Sequence, residues 1–148
     1  MLFGMGMTLT TEEDEMMAGI LRPCYAALAL TNDFFSFDRE WEEAKQTGGP
    51  NPINGVWFFM QWEGVDVMSA KQLVRQATNR CETEFLKLCA DFRDHYAPVP
   101  GKLDTSLRAM SYQVSGNLIW SLNCPRYHPE YRYNPNLGLE DAHSADHG

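Results

Sequence analysis

Apolar residues recur at helical spacing over four stretches of this chain. In the first, Met17, Ile20, Leu21, Cys24, Ala27, Leu28, Thr31 and Phe35 form a stripe of apolar or small side chains, spaced as on one face of an α-helix. Thr10-Thr11-Glu12-Glu13 opens the stretch as a capping box, with Thr10 as N-cap. Acidic residues crowd its first turn, where the helix dipole favours them. Thr47-Gly48-Gly49-Pro50-Asn51-Pro52 closes it. The pattern predicts a helix from the Thr10 cap to about Lys45, with Pro23 inside. A proline there removes one hydrogen bond and clashes with the carbonyl four residues back. A kink near residues 19–23, or two abutting helices, is expected.

Asn51 and Pro52 suit the cap and first position of a second helix, over about 52–63. It carries Ile53, Val56, Trp57, Phe58, Phe59, Met60 and Trp62, apolar nearly all round, and is expected to be buried on several sides. Ser69-Ala70-Lys71-Gln72 reads as a capping box for a third helix, about 70–96. Its apolar stripe runs from Ala70 and Val74 through Phe85 to Phe92 and Tyr96, and charge covers the rest, as on an outer amphipathic helix. After the turn Ala97-Pro98-Val99-Pro100-Gly101, a fourth helix over about 103–122 carries Leu103, Leu107, Met110, Val114 and Leu118. Ser111, Ser115 and Gly116 give it a small face, and Pro125 ends it. No repeat and no alternating strand pattern interrupts the series. Helices joined by short turns make the fold class all-α, a helical bundle. The first two helices offer more apolar surface than four helices can cover, so further helical partners are expected. Residues 134–148 are polar and read as a disordered tail or linker.

Composition narrows the partners. The 148 residues are 44% hydrophobic, enough for a core, and carry a net charge of −8. That charge argues against nucleic acid and anionic membrane surfaces. No run reaches the ~18 apolar residues of a membrane span. The apolar start Met1–Met7 lacks a basic leader and runs into acidic residues, unlike a signal peptide. Cys24, Cys81, Cys89 and Cys124 form no close-spaced pair and read as reduced thiols of a cytoplasmic protein. Cys124 and His128 have the spacing of a half zinc site, but no second pair completes it.

The candidate chemistry lies in Asn32-Asp33-Phe34-Phe35-Ser36-Phe37-Asp38-Arg39-Glu40. Asn32, Ser36 and Glu40 recur every four residues, so on a helix they share one face, each turned ~40° from the last and spanning ~12 Å along the axis. One ion reaches all three only from beyond Ser36, with Glu40 leaning back towards the helix N-terminus. Such hard oxygen donors suit Mg²⁺, which often completes its octahedron with phosphate oxygens. Alone, three such residues would more often be a solvated helix face, and Arg39 half of a salt bridge with Glu43.

Asn32, Asp33, Phe34, Ser36 and Glu40 match the second metal-binding motif of class I terpene synthases, and Arg126-Tyr127 resembles that family's Arg-Tyr pair. The surroundings "ALTNDFFSF" and "SGNLIWSLNCPRYHP" look most like the cyclase domain of fungal di- and sesterterpene synthases, often fused to a prenyltransferase. The resemblance covers residues 1–133, as the C-terminal portion of the class I terpenoid synthase bundle. It implies that Asn32, Ser36 and Glu40 hold one Mg²⁺, and that Arg39, Arg126 and Tyr127 hold the diphosphate. Asp33 either reaches the metal or bonds a neighbouring group. Trp120 is the candidate pocket wall, with Asn117 on its face; the other aromatic residues default to core. The implied reaction is ionisation and cyclisation of geranylgeranyl, geranylfarnesyl or farnesyl diphosphate.

The family also uses an aspartate-rich motif on a facing helix, and none precedes Asn32 here. A chain of this sequence alone is therefore expected to lack turnover. The alternatives are a fragment of a cyclase, a non-catalytic helical remnant or interaction module docking on one, or half of a split enzyme whose N-terminal cyclase half is a separate partner.

Overall fold

Four helices carry the described residues, and local caps decide where each begins. In the computed structural model, which describes residues 8–128, α1 runs Thr11–Thr47, α2 Gly55–Glu63, α3 Val67–His95 and α4 Gly101–Asn123. No strand occurs among the described residues, and the all-α class expected from the pattern holds.

The Thr10 hydroxyl accepts from the Glu13 amide at 3.2 Å, and the Glu13 carboxylate accepts from the Thr10 amide at 2.7 Å, the reciprocal pair the sequence predicts. Lys102 donates to the same carboxylate at 2.7 Å, tying the start of α4 to the start of α1. α1 then continues for 37 residues through Pro23, so the two-helix alternative is not what forms. Pro23 is buried beside Ile20, Cys24 and Ala27; packing of that face sustains the helix through the missing bond. Gly48, at φ 62°, ends it in the left-handed conformation a glycine adopts without cost.

The next two helix starts differ from expectation, for one reason. Asn54, not Asn51, caps α2, its Oδ1 accepting from the Val56 amide at 2.9 Å. Asp66, not Ser69, caps α3, its carboxylate accepting from the Ser69 amide at 2.8 Å. In each case two cap residues lie three apart, and sequence spacing alone does not choose between them.

Two core clusters follow. Met17, Ile20 and Cys24 of α1 meet Phe85, Cys89 and Phe92 of α3 and Leu103, Leu107 and Met110 of α4. Phe37 of α1 meets Val56 of α2 and Ala70 and Val74 of α3. The first half of α1 thus pairs with the second half of α3, and the reverse, so these helices run antiparallel. α3 contributes to both clusters through one buried stripe, Ala70, Val74, Thr78, Phe85, Cys89 and Phe92, and leaves its charged side outward, as its pattern predicts. α2 differs from expectation: Val56 is its one fully buried residue, while Trp62 is 72% exposed and Ile53, just ahead of the helix, 91%. It packs on α1 and α3 from one side, and its other side stays open. Ile119 and Trp120 on α4 are likewise exposed. No helix among the described residues is long and apolar enough to cross a membrane.

Candidate functional site

Residues 32–40 occupy the second half of α1 and lead into the α2 cluster. Phe37 and Ser36 point inward and are buried, whereas Asn32 and Arg39 are exposed and Glu40 is half-buried. The face that carries Asn32, Ser36 and Glu40 therefore grades from solvent to core within two turns.

At the solvent end, the Asn32 side-chain amide donates to the Tyr127 hydroxyl at 2.7 Å, across 95 positions of sequence. Tyr127 sits in the turn after α4. Its ring stacks on Phe35 at 6.1 Å between centroids and meets Trp120 edge-on at 5.7 Å. The first candidate ligand and the Arg-Tyr pair are thus brought into direct contact. Phe35, read from sequence as core, backs the tyrosine instead. Arg126 is exposed and makes no ion pair among the described residues.

At the buried end a residue overlooked in the sequence holds the others. The Asn54 side-chain amide donates to the Asp33 carbonyl at 3.0 Å, to Glu40 Oε2 at 3.1 Å and to Ser36 Oγ at 3.4 Å. Beside it, Asp33 Oδ2 accepts from the Gly55 amide at 2.8 Å. A Cβ on Gly55 would stand 3.0 Å from that same oxygen, so glycine permits this approach of α2 to α1. The available signal was Asn54-Gly55 directly before an apolar run, masked by the competing Asn51-Pro52. Burial pushes the Asp33 carboxyl above its ordinary range; the Gly55 amide opposes this, and the Glu40 charge adds to it. Of the two roles left open for Asp33, it bonds a neighbouring group here.

Arg39 bonds Glu43 at 3.4 Å and lies 3.7 Å from Glu40 Oε1. Its guanidinium is thus beside the candidate ligand and also in the salt bridge expected of an ordinary helix face. Trp120 lines an open recess of about 440 Å³ with Gly116, Ile119, Asn123, Cys124 and Pro125. Asn117 does not join it, since its amide donates to the Leu28 carbonyl on α1 at 3.5 Å.

Among the described residues no three His, Cys, Asp or Glu side chains converge as a metal site. The oxygen donors on this face that could meet a cation are Asn32 Oδ1, Ser36 Oγ and the Glu40 carboxylate. The Asn32 amide nitrogen donates to Tyr127, and its side-chain carbonyl oxygen is the atom that could meet a cation. The set is all oxygen and fits a hard divalent cation.

The sequence matches the family described as terpene synthase family 2, C-terminal metal binding, over residues 1–84, which takes in α1 and α2. The terpene cyclase ATR13 of Stachybotrys chlorohalonatus is 51% identical, over 99% of this chain and 38% of its own length. A variediene synthase of Aspergillus brasiliensis is 50% identical, over 87% of this chain and 19% of its own. A sesterterpene synthase of Colletotrichum orbiculare is 33% identical, over 94% and 21%. The chain therefore spans between 19% and 38% of the length of these relatives.

Proposed function

The chain belongs to the terpene synthase family, and from that premise we propose that it supplies the cation- and diphosphate-binding side of a terpene cyclase. Asn32, Ser36 and Glu40 hold one Mg²⁺, and Arg39, Arg126 and Tyr127 hold the diphosphate of a C15 to C25 allylic substrate. The observation that carries this reading is the Asn32–Tyr127 hydrogen bond at 2.7 Å. It supports the reading because the residue proposed for the cation and the residue proposed for the diphosphate are in direct contact.

Bound Mg²⁺ would neutralise charge developing on the leaving diphosphate. Each residue then has a task. Glu40 gives the set its negative charge. Arg126, exposed and without an ion pair among the described residues, presents its planar fork to phosphate oxygens. Arg39 reaches the same anion by leaving Glu43, an exposed pair that is weakly held. Tyr127 donates its own proton to the diphosphate while still accepting from Asn32. Trp120 lines the recess and meets Tyr127 edge-on, and its ring quadrupole would stabilise a carbocation there.

On this reading the other metal ions of a cyclase are held by parts that lie outside these residues, and the chain alone is expected to release no hydrocarbon. The alternative, a non-catalytic helical module docking on a cyclase, draws on the exposed Ile53, Trp62 and Ile119. A chimera separates the two. This chain replaces the matching part of the Stachybotrys relative and is incubated with Mg²⁺ and C15, C20 and C25 diphosphates. The enzyme reading expects Mg²⁺-dependent cyclised product that Glu40→Ala abolishes. A folded chimera with no product would favour the docking module.

A further inference from the structure

We propose that Asn54 is a positioning residue that holds Glu40 and Ser36 in place for a divalent cation and releases Glu40 to it on binding. The inference rests on the reading of Asn32, Ser36 and Glu40 as ligands. Asn54 is 1% exposed, and its Oδ1 is committed to the Val56 amide. Its side-chain nitrogen faces three acceptors: the Asp33 carbonyl at 3.0 Å, Glu40 Oε2 at 3.1 Å and Ser36 Oγ at 3.4 Å. A primary amide has only two hydrogens. The two nearer acceptors take them, and Ser36 is left with the longest contact.

This surplus of acceptors is what permits release. When Glu40 turns towards a cation, the hydrogen it frees passes to Ser36, and no buried donor is stranded. Such a stranded donor would otherwise oppose the movement. Ser36 accepts through one lone pair and keeps another for the cation. Without the amide, the cation paired with Glu40 among the described residues is Arg39, 3.7 Å from Oε1. Glu40 would then be drawn outward to Arg39. The backbone beside the amide is anchored to α1, since the neighbouring Gly55 amide donates to Asp33 Oδ2 at 2.8 Å.

Asn54→Ser keeps a capping oxygen for α2 and removes the amide. Mn²⁺ binding to the full chain, followed by electron paramagnetic resonance, is compared for native, Asn54→Ser and Glu40→Ala. Asn54→Ser is expected to bind ~10-fold more weakly or worse, the usual effect of losing a group that orients a ligand, while still unfolding cooperatively, at a lowered melting temperature because the Asp33 carbonyl loses its donor. If Glu40→Ala weakens binding and Asn54→Ser stays within about twofold of native, the ligand reading stands and the Asn54 proposal falls. If Glu40→Ala binds like native, both fall. Nuclear magnetic resonance of the native chain tests the same point without a variant. Mg²⁺ should shift the Asn54 side-chain amide as it saturates, and an amide unmoved at saturation overturns the proposal.

Discussion

The Asn32 amide donates to the Tyr127 hydroxyl at 2.7 Å, joining the middle of α1 to the turn beyond α4. Tyr127→Phe deletes that acceptor and keeps the ring between Phe35 and Trp120. The bond lies at the surface, so its loss should cost about 0.5–1 kcal/mol, read from chemical denaturation. Diphosphate affinity in the presence of Mg²⁺ should fall more than stability does, because Tyr127 is assigned to the anion. Unchanged affinity would remove Tyr127 from the site.

Gly55→Ala opposes two expectations. Helix propensity alone favours alanine by up to ~1 kcal/mol. The added Cβ, however, would stand 3.0 Å from Asp33 Oδ2 and 3.3 Å from the Leu30 side chain. Asp33 is fixed by its bond to the Gly55 amide and cannot yield without losing it. The variant should be destabilised by about 1 kcal/mol or more, as overpacking is. A stabilised variant would mean that the contact between α1 and α2 is slack.

Asp33 gives a pH test. Its folded-state pKa is raised, chiefly by burial. Below the ordinary aspartate range both folded and unfolded chains hold the proton, and the contribution of Asp33 is fully present. It is lost as pH rises through the raised folded value, because ionisation is easier in the unfolded chain. Asp33→Asn does not ionise, so its melting temperature should rise relative to native across that interval and then stay level. A difference that shrinks with rising pH would contradict the assigned cause.

Legibility in the sequence ended where long-range contact began. The Thr10–Glu13 box was readable because both partners lie within one turn. The stripes of α1 and α3 gave the helices, since burial leaves a period of 3.6. Asn54 was not readable, because its role depends on α2 folding back onto Ser36 and Glu40, and no periodicity records that. The same holds for Phe35, whose contact with Tyr127 exists only once α4 returns past α1. For α2 the composition recorded apolar surface on every side, and Ile53 and Trp62 are the part of it that these four helices leave uncovered.

The open side of α2 carries its own consequence. Ile53 and Trp62 are 91% and 72% exposed, a surface that drives association when no partner covers it. The isolated chain should self-associate with rising concentration. Ile53→Ser with Trp62→Ser should reduce this in sedimentation velocity and leave stability within about 0.5 kcal/mol per site, as for surface changes generally. Association that the double variant does not alter would place the interface elsewhere, with the exposed Ile119 and Trp120 next to test.

The central claim is that Asn32, Ser36 and Glu40 hold a divalent cation that a diphosphate shares. Titration calorimetry of Mg²⁺ and inorganic diphosphate into the native chain and into Glu40→Ala tests it most directly. The account predicts saturable binding to the native chain that needs both ions, weakened ~10-fold or more without the Glu40 carboxylate. Equal heats from the two proteins would contradict it.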